Sequence, residues 1–281
     1  MTLELEKYFI NGKIEYTLYI ILFFLFLIEI FIYPKTFSFK KSAHELFSNV
    51  TIAILHNLGK MIFLPGLVLL YIQIYKLRLF DFSFELFDFL LALILFDLCY
   101  YVHHYSMHHI SFLWAAHAVH HQPKYINLSM SIRLSFFNKA LTYWFYLPLG
   151  YLGIPIAMLA AVGFVNGLYQ ILTHSRWLIL SAPLRKIFID SRDHHLHHSK
   201  DATEQKTNLG GMFSFWDYLF KTISSKSSRA RVDHLFSINS IEYGIDGKEG
   251  QSEIINNPFL ANLYPFYIYF SKLKKDLLSR P

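Results

Sequence analysis

A single cysteine, Cys99, is all the thiol chemistry that the 281 residues contain. One thiol cannot close an intramolecular disulfide or build a thiolate metal cluster, so any bound metal must be held by nitrogen and oxygen ligands. Charge is scarce too. Only 16% of residues are charged, against roughly 25% in an average soluble domain. Together with 54% hydrophobic residues and a positive mean hydropathy, that scarcity indicates a membrane protein rather than a water-soluble globule. Low-complexity tracts are lacking, and neither a second domain nor a cleavable leader is expected. The first apolar run begins near Tyr16 and is long enough to cross a bilayer. A net charge of +6 does not argue for a nucleic acid partner. The basic residues lie beside apolar runs, where anionic headgroups are the simpler partner.

Four apolar regions are present. Tyr16 to Tyr33 is almost unbroken Ile, Leu and Phe. Val50 to Tyr75 is less pure, with His56, Asn57, Lys60 and Pro65 inside it, and Leu86 to Val102 is the third. Phe136 to Thr173 is too long for one straight span of about 20 residues. The cluster Pro148, Gly150, Gly153 and Pro155 breaks it, which predicts two short helices in a hairpin. Lys60 faces either a site or, by snorkelling, the lipid surface. Ser224 to Gly250 reads as a polar loop. Pro258 to Phe270, followed by Lys272, Lys274 and Lys275, reads as an interfacial segment or a helix packed on the protein.

Against this apolar background stand 15 histidines. His104 and His108 are spaced i, i+4. His117, His120 and His121 form HxxHH, and His194, His197 and His198 form it again. Residues three and four apart share a helix face, so each cluster directs its imidazoles one way. Imidazole is the commonest protein metal ligand. The eight box histidines, with His174 as a ninth ligand or a neighbouring donor, exceed the roughly four ligands of one zinc ion, so two metals are expected. His103, His109 and His195 read as neighbours on other faces, His56 as a packed core residue, and His44 and His234 as surface residues. Asp97 and Asp217 either accept the second N–H of a ligand imidazole or cap helices.

All boxes must lie on one side of the membrane to share a site, so the chain crosses the fourth apolar region an even number of times. On the histidine side are 15 of the 26 Lys and Arg, from Arg176 onward, together with Lys35, Lys40 and Lys41. Lys7, Lys13, Lys76 and Arg78 on the other side are balanced by acidic residues. Positive residues favour the cytoplasm, so the histidine side is expected there.

The stretch from Asp97 to Gln122 resembles the fatty acid hydroxylase superfamily, also called the sterol desaturase family. The resemblance rests on Asp97, Tyr100 and Tyr101, then HxxxH at His104 and His108, Leu113 and Trp114, then HxxHH at His117, His120 and His121. It continues through Asn127, Ser129 and Arg133, Gln170 and His174, the third box, and Asn208, Gly210, Trp216, Asp217 and Phe220. The box spacing resembles that of the family's alkylglycerol monooxygenase-like branch. His109 stands where that branch has an acidic residue, and Tyr105 and His195 stand where the family often has arginine.

The resemblance implies a non-haem di-iron oxygenase that uses O2 to hydroxylate a C–H bond of a fatty acyl, sterol or ether lipid. A desaturase with the same site is the near alternative, and a non-redox membrane zinc protein the distant one. The expected architecture is an all-α integral membrane bundle of about four or five membrane-embedded helices under a cytoplasmic histidine-rich helical cap. Residues 1–281 form one domain: spans in 1–96, the catalytic region in 97–222, and a loop and interfacial segment in 223–281. Two iron ions would be held by His104, His108, His117, His120, His121, His174, His194, His197 and His198. Asp97, Asn127, Arg133, His195, Asn208 and Asp217 would support them. Electrons would come from a separate redox protein, in a bacterial inner membrane or, in a eukaryote, the ER membrane.

Overall fold

The computed structural model describes residues 20–21, 23–29, 39–233 and 241–278. Half of the first predicted span falls outside them, and residues 20–21 and 23–29 within it are helical. His234 and the side chain of His44 also lie outside the described residues. Among the described residues the fold is all-helical, with only two isolated β-bridges, Phe188 to Phe213 and Ser199 to Tyr243.

Among the described residues three helices are long and apolar enough to cross a membrane: α1 (Phe39–Tyr75, with its apolar stretch over Glu45–Tyr75), α2 (Leu86–His109) and a later helix over Ile156–Thr173. At most 28% of each apolar window is buried within the protein. Side chains such as Ile54, Met61, Ile62, Leu86 and Phe87 therefore point outward, as a lipid-facing surface requires. The inward faces close on one core that contains Tyr71, Ala92, Leu93, Leu149, Met158 and Val162. The Tyr71 hydroxyl donates to the Ile154 carbonyl at 2.8 Å and satisfies its polar tip.

The third apolar region does not end its helix at Val102. Helix α2 continues unbroken to His109 and stops at Ile110, whose backbone is extended (φ −105°, ψ 111°). Box one is therefore the last turns of a span rather than a separate element. Helix α3 (Ser111–His121) follows at once and carries box two.

The two arms of the fourth apolar region are unequal. The first is three short pieces, Asn138–Thr142, a tight 3₁₀ turn over Tyr143–Tyr146, and Leu147–Leu152. Pro148 explains the break, because it lacks the N–H that a continuous helix needs and its ring crowds the preceding turn. Gly153 turns the chain at φ +107°, and a Cβ there would collide with the Phe80 carbonyl. The second arm is α4 (Ile156–Thr173), which delivers His174 at its C-terminus.

Helix α5 (Ser191–His197) bears box three. The Asp190 carboxylate caps it, accepting from the backbone N–H of Arg192 at 3.0 Å and Asp193 at 3.2 Å. Arg185 then grips Asp193 with two hydrogen bonds of 2.7 Å, a planar fork on a carboxylate. The segment expected to be a polar loop holds a helix over Lys226–Asp233, because Val232 packs with Leu196 and Ile241. Helix α6 (Pro258–Leu278) is both interfacial in character and packed. Ala261, Asn262 and Pro265 are buried, while Phe259, Leu263, Tyr267 and Phe270 are exposed.

Candidate metal centre

All nine candidate histidines are buried, and they form two groups. His104, His108, His117, His121 and His197 make the first, and His120, His174, His194 and His198 the second. Within each group one nitrogen from every ring lies within 4.8 Å of the others. Neither HxxHH box stays whole. An α-helix advances about 100° per residue, so i and i+4 differ by about 40° while i+3 lies about 60° the other way. Each i, i+4 pair therefore remains in one group: 104 with 108, 117 with 121, 194 with 198. The i+3 members, His120 and His197, cross to the other. One box thus feeds two sites.

Backbone carbonyls fix the ring tautomers. His104 Nδ1 donates to Leu209 O at 2.9 Å, His197 Nδ1 to Thr207 O at 2.9 Å, His120 Nδ1 to Arg133 O at 3.2 Å, and His174 Nδ1 to Gln170 O at 2.7 Å. A carbonyl can only accept, so each proton sits on Nδ1 and each neutral ring has a bare Nε2. His120 and His174 point those bare Nε2 atoms at each other across 3.1 Å. Two lone pairs at that distance repel, and a shared cation turns the contact favourable. In the first group His108 Nε2, His121 Nδ1 and His197 Nε2 are buried without a hydrogen-bond partner. Orphaned buried nitrogens are costly unless something binds them.

The donor spacing suits metal as well. Nε2 atoms stand 3.1 Å apart for His104 and His117, 3.2 Å for His117 and His121, 3.0 Å for His174 and His194, and 3.1 Å for His194 and His198. Ligands at about 2.1 Å from one ion and 90° apart are separated by about 3.0 Å, while a tetrahedral angle gives about 3.4 Å. Burial holds the rings of His117, His120, His121, His194, His197 and His198 well below the ordinary histidine pKa, and brings His174 down to about 4. The rings are neutral, the state a ligand needs. The residues fit a pair of metal ions.

The six supporting residues are placed differently. Asp97 touches no histidine ring. Its carboxylate accepts from the backbone N–H of Met212 and Phe213, from Asn166 Nδ2 and from Trp216 Nε1, at 2.5 to 3.1 Å, and so ties α2 to α4 and to the loop at 209–213. Gly211 lets that loop approach, since a Cβ there would lie 2.7 Å from Asp97 Oδ1. Asp217 accepts from the N–H groups of Leu209 and Gly210 at 2.7 and 3.0 Å, and burial pushes its pKa up to about 7. It acts one step from the site, by holding the residue whose carbonyl holds His104. Asn208 takes the left-handed conformation (φ +55°), and its carboxamide bonds Asp193 O and Ser224. The residues on either side of it, Thr207 and Leu209, present their carbonyls to His197 and His104, two members of one group.

Arg133 is 1% exposed, and all five of its N–H bonds go to neutral oxygens of Val119, Ser48, Asn49, Gln122 and Ile255. Burial lowers its pKa to about 9, and the arginine joins α1, α3 and the Ser252–Asn256 turn around the His120 carbonyl contact. Asn127 caps the turn before it, accepting from Ser129. His195 faces away, with its nitrogens on Tyr243 Oη (2.9 Å) and Ser175 O (3.2 Å). Sequence reasoning missed the carbonyls of Thr207, Leu209 and Gln170, and also Asn166. Polar residues inside apolar helices were the available signal only for Asn166.

A cavity of about 370 Å³ reaches the site. Its lining includes His104 and His117 from the first group and His120, His174 and His194 from the second. Phe96, Ile132, Phe164, Leu168 and Ile171 give it apolar walls, and it runs between the helices long enough to span.

Residues 89–222 match the family model described as fatty acid hydroxylase. The chain is 31% identical over 170 residues to alkylglycerol monooxygenase of Danio rerio (60% of this chain, 35% of that protein), and 30% identical over 146 residues to the Homo sapiens protein of that name (52% and 33%). It is 29% identical over 199 residues to ornithine lipid hydroxylase OlsE of Rhizobium tropici (69% and 54%). The matches thus span about a third to a half of these relatives' own lengths. No solved structure matches the chain. The three histidine boxes that fold into two groups all lie within residues 89–222, the part of the chain that is similar to the fatty acid hydroxylase family.

Proposed function

We propose that this protein is an O2-dependent membrane oxygenase that hydroxylates a C–H bond of a lipid, with one iron ion in each histidine group. The observation that carries the reading is the pair of neutral, buried imidazole groups, five and four, that share one cavity. Five imidazoles in one group exceed the four ligands of structural zinc, and the 3.0 to 3.2 Å spacings suit cis ligands better than tetrahedral ones. The monooxygenase and hydroxylase named among the relatives support oxidation of a lipid, and with it membership of the oxidoreductases.

The first iron would be held by His104, His108, His117, His121 and His197, and the second by His120, His174, His194 and His198. Bound iron would supply O2 activation and the oxidising power to break a C–H bond that no side-chain acid or base can attack. The chain supplies the rest. Carbonyls of Arg133, Gln170, Thr207 and Leu209 hold four rings in the Nδ1–H tautomer and aim Nε2 inward. The apolar walls of the cavity suit an acyl chain, and a bound chain would exclude water, which protects a reactive site from side reactions.

The charge distribution supports the side of the membrane, and the other parts of the reading are proposed with it. The histidine region forms a cap on the cytoplasmic side of about four or five membrane-embedded helices, within a single domain over 1–281. A separate redox protein delivers electrons there. The membrane is a bacterial inner membrane, or the ER if the source is eukaryotic. Two measurements test the proposal. Protein purified from iron-replete cells should hold about two irons per chain, and cells that express it in labelled O2 should accumulate a lipid with a labelled hydroxyl. One zinc per chain with no labelled lipid would overturn it. A new alkene with unlabelled products would point to desaturation.

A further inference from the structure

The histidine groups are not the only polar feature of the cavity. The wall formed by α1 and Asn138–Thr142 contributes His56, Asn57, Lys60, Asn138, Lys139 and Thr142. Lys60 stands fifteen residues from either end of Glu45–Tyr75, the longest candidate span. A cation at that position is expensive in hydrocarbon and marks a binding or transport role when it faces a cavity. Lys139 joins it from the adjoining element, and both act electrostatically on His56, whose Nδ1 bonds the Ser135 carbonyl at 3.0 Å. Asn138 is 7% exposed and lines the same wall, its carboxamide making no hydrogen bond to the described residues. No Asp or Glu lines the cavity among the described residues. Lys60 and Lys139 each have other contacts, yet an ammonium carries three donors, and two cations and an amide on one cavity wall favour an anion.

We propose that Lys60 and Lys139, with Asn138 beside them, form a subsite for the anionic head, carboxylate or phosphate, of the lipid that enters this cavity. Anchoring the head on this wall fixes how far the chain extends toward the histidines, and so which carbon faces them. The inference rests on reading the cavity as the lipid site.

The test uses the purified full chain with its bound metal, reconstituted in zwitterionic phosphatidylcholine nanodiscs, and measures equilibrium binding of three labelled probes with the same sixteen-carbon chain: hexadecanoate, hexadecyl phosphate and hexadecanol. One or both anions should bind at least about tenfold tighter than the alcohol, a gap that a charge-assisted contact supplies. Which anion wins identifies the head. Lys60→Met and Lys139→Met should each remove most of that preference and leave hexadecanol affinity unchanged, while Lys60→Arg should keep it. Equal affinity for all three probes in the unaltered protein would overturn the subsite, with no variant needed. So would an anion preference that survives both methionine substitutions together. Binding needs no turnover, so the outcomes separate. Protein without iron that still prefers the anion would sink the oxygenase reading alone, and iron-loaded protein without preference would sink the subsite alone.

Discussion

The two histidine groups differ in how they are built and in what they face. The first draws four of its five rings from two i, i+4 pairs on consecutive helices, and it holds all three orphaned ring nitrogens. The second is a continuous run of Nε2 contacts, His120 to His174 to His194 to His198, each between 3.0 and 3.1 Å. Three members of the second group line the cavity, against two of the five in the first. The first group is therefore mostly local in sequence and set back, while the second is assembled from three separate segments and meets the cavity. The difference teaches that one motif, HxxHH, can serve two ions because the i+3 ring leaves the face shared by the i, i+4 pair.

The largest effect should come from removing one ligand of each kind. His108→Ala and His194→Ala should each abolish lipid hydroxylation, yet each should lower iron from about two per chain to about one. Elemental content together with product analysis checks this, and loss of both irons in either variant would mean that the groups are not separate sites. A subtler break is Asn208→Ala. It removes the bonds that hold the left-handed turn between the Thr207 and Leu209 carbonyls, which touch only first-group rings. Metal affinity should fall by about 10- to 100-fold at one site and stay unchanged at the other, which a two-site metal titration resolves.

Gly167→Leu probes the cavity side of the comparison. Gly167 lines the cavity, and a Cβ there would meet nothing within 4 Å. A leucine should intrude on the lipid path and lower kcat/KM for long-chain lipids roughly tenfold or more while iron content holds. An equal loss for short-chain lipids would argue against occlusion.

Acid should weaken the metal-free protein through both groups at once. Burial holds the folded-state pKa of these rings below the unfolded value of about 6.5. Below that pH the unfolded chain binds protons that the folded chain refuses, so stability falls as pH drops, down to about 4 for His174. Denaturant unfolding of the stripped protein at pH 8 and pH 5.5 should give the lower midpoint at pH 5.5, and equal midpoints would mean that the rings are already protonated when folded. The smallest effect on metal belongs to His195→Ala. Both irons should remain, and stability should drop by about 1–3 kcal/mol for the lost bonds to Tyr243 Oη and the Ser175 carbonyl. Loss of an iron would make His195 a ligand.

Much of this was legible in the residues. The spacing of His104 and His108 and of the two HxxHH runs, inside an apolar chain with one cysteine, points to nitrogen-ligated metal at the end of membrane helices. The Pro148 to Pro155 cluster marks the break in the fourth region, although not the three-piece form of its first arm. The carbonyl partners were not legible. Every residue has a carbonyl, so nothing in the letters singles out Thr207, Leu209 or Gln170. Carboxylates such as Asp97 and Asp217 attract attention but are spent on backbone N–H groups.

The sequence by itself determined the chemistry on offer: which atoms can donate, that they repeat at helical spacing, and that they sit beside lipid-facing segments. That much follows from side-chain identity and the fixed pitch of the helix. Only the tertiary structure decided the partition into five and four rings, the tautomers of His104, His120, His174 and His197, and the cavity that joins the groups to Lys60 and Lys139. Those depend on how α1, α2, α4 and the 207–213 loop pack across long stretches of chain. Packing of that kind is set by the whole core at once rather than by any local run of residues.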